Sequence, residues 1–468
     1  MTSGRARFWS IGTVLIVALS GFLMGFDGSL FTGAVIFVER EFALSKLEFA
    51  SVVTSHTLAA TLSIFLAGPI ADRIGRRRVL RFAGAVFALS SVVAALADTF
   101  GVLIAARLLS GLGVGLVLVA APLYIAEISP PDARGRMVTF NQLFIVIGIF
   151  LAFTSSYLIV RMKDAVSGWP VWLDLANSDW RWMLGIGFIP AAFYLFALLF
   201  VPESPRWHAM HGRIDAARRI LARAHGAQFA ESELAEVRAS LAREGDSRDA
   251  TLRDLMAPSL RKVLIIGLGV GVLQQITGIN SVLAYATVIF ERAAGGAAGD
   301  SAPFMHTALV GLVNLVSTVL ALLLIDRVGR RPLLIFGTAG IAGSMLLTAW
   351  GFEGRAGEMD ATLVLTGLLG FVGFFAVSLG PGMWVLLSEI FPNRVRGIAI
   401  SCVGVVNSLV CFVVQFVFPW EMESLGGSRT FLLYGLFAIL GVVFLVRMLP
   451  ETRGRSLEEL EEVLVRRG

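Results

Sequence analysis

Two cysteines and five histidines in 468 residues leave little room for several kinds of chemistry. Cys402 and Cys411 lie in one apolar run. In a helix roughly 13 Å of axis would separate them, too far for a disulfide. His208, His211, His225 and His306 show no metal-ligand spacing, so no metal site is expected. The only lysines are Lys46, Lys163 and Lys262, and none follows a glycine. A Gly-Lys-Ser/Thr phosphate loop is therefore absent, which argues against a self-contained ATP-driven pump. Charge is scarce too, at 16% Asp, Glu, Lys and Arg. A soluble surface needs roughly a quarter, so most of this chain cannot face water. That excludes a disordered chain, a soluble enzyme and a disulfide scaffold. No nucleophile–base or paired-carboxylate arrangement stands out, so neither an enzyme nor a cofactor is expected.

What the chain has is apolar length. Hydrophobic residues make up 56%, with 34 Phe and 49 Gly, and mean hydropathy is +0.79. A helix crosses a bilayer with about 20 mostly apolar residues. Twelve such stretches are predicted: 9–36, 50–71, 79–97, 100–124, 137–160, 183–201, 262–290, 305–325, 332–351, 361–387, 397–419 and 430–449. Ala18-Leu19-Ser20 looks like a signal-peptidase site, but the apolar run continues to Val38, so the first helix is read as uncleaved. Threading these spans back and forth puts 30 of the 39 Lys and Arg on one side and 8 on the other. The positive-inside rule places the richer side, with both termini, in the cytoplasm, and the chain in the cell (inner) membrane. The basic balance then reflects topology, and no nucleic-acid partner is expected. Asp27 and Arg107 remain as the only acid and base predicted deep in spans.

The chain also repeats itself. Asp72-Arg73-Ile74-Gly75-Arg76-Arg77-Arg78 follows the second span, and Asp326-Arg327-Val328-Gly329-Arg330-Arg331-Pro332 follows the eighth. Glu127 precedes Arg134-Gly135 with the spacing by which Glu389 precedes Arg396-Gly397. Pro202-Glu203-Ser204-Pro205-Arg206 closes span six, and Pro450-Glu451-Thr452-Arg453 closes span twelve. Three matched landmarks in one order predict two six-helix halves, 1–201 and 262–450. A linker with amphipathic helices (202–261) and a tail (451–468) would both be cytoplasmic.

These motifs resemble the sugar porter branch of the major facilitator superfamily over essentially the whole length. Asp-Arg-x-Gly-Arg-Arg indicates the superfamily. Pro202–Arg206, Gln274-Gln275-x-x-Gly278-x-Asn280, Gly380-Pro381-x-x-Trp384 and Pro450-Glu451-Thr452 indicate sugar porters. The resemblance implies an all-α membrane protein: twelve transmembrane helices in two six-helix bundles with pseudo-twofold symmetry. It implies monosaccharide transport by alternating access about a midplane site, by a chain functional as a monomer in the lipid bilayer. It also implies that Asp72, Arg76, Arg77, Glu127, Arg134, Glu203, Asp326, Arg330, Arg331, Glu389, Arg396 and Glu451 form an inner latch. These groups could pair across the halves when the inner side is shut. Positive-inside topology and helix-end electrostatics are the plainer reading of the same charges.

A charge at membrane depth costs at least about 2.5–3.5 kcal/mol on insertion scales, so Asp27 needs a partner or a proton. Arg107 is the cation at comparable depth. Asp27 is either a structural acid paired with Arg107 or the proton site of a symporter. Proton-coupled sugar porters carry an acid here, and facilitative relatives usually a neutral residue. Protons as coupling ion are therefore expected, with facilitative uniport and a transporter-like sugar sensor as alternatives. The glycines after Arg107, Gly111, Gly113 and Gly115, are read as close helix packing. His56 is read as packed or hydrogen-bonded rather than as a proton relay.

A sugar needs groups that donate and accept at once, and a flat apolar face. By resemblance, Gln142, Gln274, Gln275, Asn280 and Trp384 match sugar-contacting positions, and Asn407 stands with them as a candidate. Asn314 reads equally as a sugar contact or an interhelical hydrogen bond, and Asn141 as the latter. Gln274 and Asn280 would lie about 120° apart on an unbroken helix; they converge only if the helix breaks, and Gly278 is the place. Ala284-Tyr285, where the family often has two tyrosines, and Ser408, where it often has Trp, depart from the pattern. Both put the preferred sugar in doubt. The loop 161–182, with Trp169, Trp172, Trp180 and Trp182, resembles that of bacterial pentose symporters.

Overall fold

The computed structural model describes residues 3–129, 134–165, 179–226, 230–237, 239, 252–293, 301–354, 359–392 and 395–451. Trp169, Trp172, Arg453, the side chains of Arg134 and Asp326, and the tail from 452 lie outside the described residues. The helices are α1 (Ser3–Glu41), α2 (Lys46–Ile74), α3 (Arg76–Ala95), α4 (Phe100–Ile128), α5 (Arg134–Ala165), α6 (Asp179–Gly185), α7 (Phe188–Ala197), α8 (Pro205–Met210), α9 (Ile214–His225), α10 (residues 230–237) and α11 (Leu252–Leu255). They continue as α12 (Arg261–Ile276), α13 (Ile279–Ala284), α14 (Ala286–Ala293), α15 (Ala302–Val328), α16 (Arg330–Glu353), α17 (Ala361–Val377), α18 (Leu379–Ile390), α19 (Arg396–Ser424) and α20 (Gly426–Met448). No strand occurs among the described residues. Twelve helical stretches among them are long and apolar enough to cross a bilayer.

Two compact units emerge. One holds Met1–Ala34, Ser55–Ala152 and Trp169–Asp249; the other holds Val35–Thr54, Phe153–Gly168 and Ala250–Gly468. In the first, α3 packs along α4, α6 and α7. Val17, Leu80, Phe87, Val117, Tyr124 and Tyr194 are among its fully buried side chains. In the second, α16 packs on α17 and α20, and α12 packs on α19.

Helix ends follow local chemistry. Thr99 caps α4 by accepting from the Val102 amide, and Asp360 caps α17 by accepting from Thr362 and Leu363. Ser204 caps α8 with Pro205 in its first turn, where the missing N–H costs nothing. Gly75 (φ 105°) and Gly329 (φ 102°) start α3 and α16 in a region closed to most side chains. The linker helices build a small core of their own from Ala209, Ala217, Leu221, Ala230 and Leu234. They are fastened to α1 and α4 by Arg223 over the Trp9 ring (4.7 Å to its centroid) and by His225 Nε2 at 2.8 Å from the Ile128 carbonyl.

The glycine run of α4 serves close packing. A Cβ at Gly111 would strike the His56 carbonyl, and one at Gly115 would strike Ser63 and the Ala60 carbonyl. A backbone oxygen yields less than a side chain, and overpacking costs about 1–3 kcal/mol. Gly115→Val is therefore expected to lower the detergent-solubilised melting temperature, whereas Gly101→Ala, with open space around it, changes it little. Equal melting temperatures for the two variants would remove the packing role.

Candidate functional site: a carboxylate cluster and an amide cluster

The first site forms inside α1, α2 and α4. Asp27 lies midway along α1, and Ser110 of α4 donates a hydrogen bond to its Oδ2. Nδ1 of His56 on α2 is 2.9 Å from the same Ser110 hydroxyl and 3.9 Å from Asp27 Oδ2. Arg107, one turn before Ser110, stacks its guanidinium over the Phe31 ring, 4.3 Å from the centroid. Asp27, Arg107 and Ser110 line one cavity with Ser90 and Ser91 of α3 and Leu184 of α6. The cavity measures about 20 Å³, enough for one water-sized occupant. Asp27 and His56 each keep a small solvent exposure, 14% and 13%. So the acid and base singled out by sequence share a hollow, and sequence reasoning missed Ser110. Its signal was available: position i+3 from Arg107 falls on the same helix face.

The second site forms where α12 ends. Residue Gly278 takes the left-handed conformation (φ 86°, ψ 13°), and its α-carbon faces the Tyr434 ring so closely that a Cβ would collide. The helix stops at Ile276 and restarts at Ile279, the break that the Gln274–Asn280 angle required. Across it, Asn280 Nδ2 donates to Gln275 Oε1 at 2.6 Å. Gln275 Nε2 donates to Asn407 Oδ1 at 3.1 Å. Asn407 Nδ2 donates to Gln274 Oε1 at 2.9 Å and to the Gly271 carbonyl at 2.8 Å. Gln274 Nε2 donates to the Leu379 carbonyl at 3.0 Å, next to a second interruption at Ser378 between α17 and α18. Four amides from three helices, α12, α13 and α19, thus form one network, with donors and acceptors side by side. Trp384 on α18 is exposed, and its ring lies toward Gly404, one turn before Asn407 on α19.

The structure does not gather every candidate. Asn314 is buried on α15 and shares no described hydrogen bond with the amides; Gln142 is exposed on α5, in the other compact unit. Gln415, which sequence reasoning passed over, donates to the Asn280 carbonyl at 3.1 Å and receives the Tyr285 hydroxyl at 3.3 Å on its own carbonyl. It sits two turns beyond Asn407 on the same face. One span end differs from the sequence expectation. Helix α19 runs to Ser424, past the predicted end at 419, and carries Glu421 in its last turn, where it accepts a 2.8 Å hydrogen bond from Tyr434.

The charged turns show the duplication in atomic detail. Arg76 binds Asp72 at 2.7 Å and Glu127 at 2.9 Å, and Glu127 also accepts from Ser204. Arg330 binds Glu389 at 2.9 Å. Glu203 accepts the Arg77 amide at 2.8 Å, and Glu451 accepts the Arg330 amide at 3.2 Å. Each glutamate faces the glycine that opens its turn. Arg77 and Arg331 donate to carbonyls ending the last span of their own half, Leu198 and Val446. Arg396 donates to the Phe391 carbonyl at 3.2 Å. All these contacts join elements of one half.

Comparison with known proteins agrees. The family model described as "Sugar (and other) transporter" matches residues 13–464. The arabinose-proton symporter of Bacillus subtilis (strain 168) is 35% identical over 466 residues, covering 98% of this chain and 97% of its own. From the same organism, the probable metabolite transport protein CsbC is 35% identical, with 96% and 93% covered. The solved structure of the proton:xylose symporter XylE bound to 6-bromo-6-deoxy-D-glucose superposes with a TM-score of 0.77 at 32% identity, covering 98% of this chain and 99% of that one. With matching motifs, twelve apolar spans and a family model over nearly its whole length, the chain is a multi-pass membrane protein of the sugar porter family of the major facilitator superfamily.

Proposed function

We propose that the chain is a proton-coupled symporter of a monosaccharide, a pentose or hexose such as xylose or glucose. The observation that carries this reading is Asp27, a membrane-embedded carboxylate sharing a cavity with Arg107. Ionised, Asp27 pairs with Arg107. Protonated, it releases the guanidinium, and removing one partner of a buried pair costs about 3–5 kcal/mol. That is ample to shift a two-state equilibrium between outward- and inward-facing forms. The sugar site is assigned to Gln274, Gln275, Asn280 and Asn407, with the Trp384 indole as the apolar face and Gln142 and Asn314 as outlying candidates. Relatives named for arabinose–proton and xylose–proton symport support both halves of the assignment. The charge asymmetry of the loops supports cytoplasmic termini in the inner membrane. The charged turns act as the inner latch, protons serve as the coupling ion with no other cofactor, and the chain works as a monomer.

Facilitative uniport is the second reading, favoured by one observation: Ser110 already satisfies Asp27 as it would a structural acid. In de-energised proteoliposomes, adding sugar outside is expected to alkalinise the external medium as sugar and protons enter together. Sugar entry with no proton movement selects uniport.

A further inference from the structure

The carboxylate cluster contains a group that transport by Asp27 and Arg107 alone does not use. His56 approaches Asp27, but its Nδ1 is 3.9 Å from Oδ2, beyond hydrogen-bond reach. The Ser110 hydroxyl lies between them. It donates to Asp27 and sits 2.9 Å from Nδ1. A hydroxyl offers one donor and two acceptor sites, so the three groups form a continuous chain. On the far side of the ring, Nε2 faces Gly28 of α1, where even an added Cβ would stay 3.7 Å away. No side chain from that position covers it.

The geometry points to a relay in which His56 and Ser110 carry the proton to and from Asp27, a role that rests on the symport reading above. The groups facing the relay are Asp27 and Gly28 from α1, Arg107 and Ser110 from α4, and Ser90 and Ser91 from α3, the serines sharing one cavity with Asp27 and Arg107. The balance is simple. With Asp27 ionised, Nδ1–H donates to Ser110, and Ser110 donates to Oδ2. A proton arrives from solution at Nε2. The Nδ1 proton passes to the serine oxygen, and the serine proton passes to Oδ2. Asp27 is then neutral, Ser110 has regained its proton and donates to Nδ1, and the imidazole is neutral with its hydrogen on Nε2. One proton has entered and one sits on the carboxylate. The reverse sequence releases it. Both arrangements keep every member of the chain hydrogen-bonded. The sugar amides take no part, so proton traffic and sugar binding use different residues.

The test uses the full-length protein in liposomes with Ser110→Ala, Ser110→Thr and His56→Gln. The probe is whichever of D-xylose, D-glucose and L-arabinose the wild type exchanges fastest. The readouts are the ratio of proton-driven net uptake to sugar exchange, and its pH profile. Positioned proton transfer contributes about 10²–10⁴-fold. Ser110→Ala and His56→Gln are therefore expected to lower the ratio at least about tenfold and to flatten its pH profile. Ser110→Thr, which keeps a hydroxyl, retains the wild-type ratio. Wild-type ratios and profiles in Ser110→Ala and His56→Gln overturn the relay while leaving symport standing. So does an equal fall in net uptake and exchange in all three variants, which marks a purely structural role. A wild type that takes up sugar without protons overturns symport itself, and the relay with it.

Discussion

Asp27→Asn abolishes accumulation of sugar against a gradient and leaves exchange running. Asparagine has the size of aspartate and the charge of its protonated form, so the variant resembles a carrier with its proton permanently bound. A membrane potential of 100 mV supplies roughly 2.3 kcal/mol per charge, and one pH unit roughly 1.4 kcal/mol. One proton per sugar can thus hold a gradient of roughly several hundred-fold. Without the exchangeable proton that ratio falls to about one, the value at which a passive carrier comes to rest. Ser110 still has an amide oxygen to donate to, so the local packing survives. Steady-state accumulation of labelled sugar in energised vesicles, with exchange measured beside it, decides the matter. Accumulation at the wild-type level would mean that Asp27 only holds Arg107 in place.

Gln275→Ala weakens sugar binding more than loss of any single direct contact would suggest. The Gln275 amide donates to Asn407 and Gln274 and accepts from Asn280, so its removal takes the described partner from Asn407 Oδ1 and Asn280 Nδ2, while Gln274 Oε1 keeps Asn407 Nδ2. An unsatisfied buried polar group costs about 1–3 kcal/mol, which corresponds to roughly a 5- to 150-fold loss of affinity. Net transport at saturating sugar falls less, because proton coupling resides elsewhere. Equilibrium binding by calorimetry or ligand protection gives the affinity. A dissociation constant within twofold of wild type would remove Gln275 from the sugar site.

The amides were legible because polar side chains are rare inside apolar spans, and each one therefore stands out. The break at Gly278 followed from arithmetic: two residues wanted in one site lay on different faces, and one glycine stood between them. The interruption at Ser378 had a weaker signal. Pro381 falls in the first turn of α18, where its missing N–H is tolerated, so a proline inside an apolar run was marking a restart. Ser110 and Gln415 carry no charge and belong to no motif. Ser110 is signalled only by its i+3 spacing from Arg107, and Gln415 becomes visible only once α19 is known to bring it to the Asn280 carbonyl. Glu421 lies past the predicted span end at 419, and α19 passes through Pro419 without stopping.

The glutamates that clasp Gly75 and Gly329 have a mechanical consequence. Each half rivets the ends of its own helices together, Glu203 to the Arg77 amide in one and Glu451 to the Arg330 amide in the other. Such bracing makes those ends stiff. Among the described residues the helical ladder is also cut beside Gly278 and Ser378. Both cuts adjoin the amide network, so a ligand held by those amides would press on two joints of the backbone.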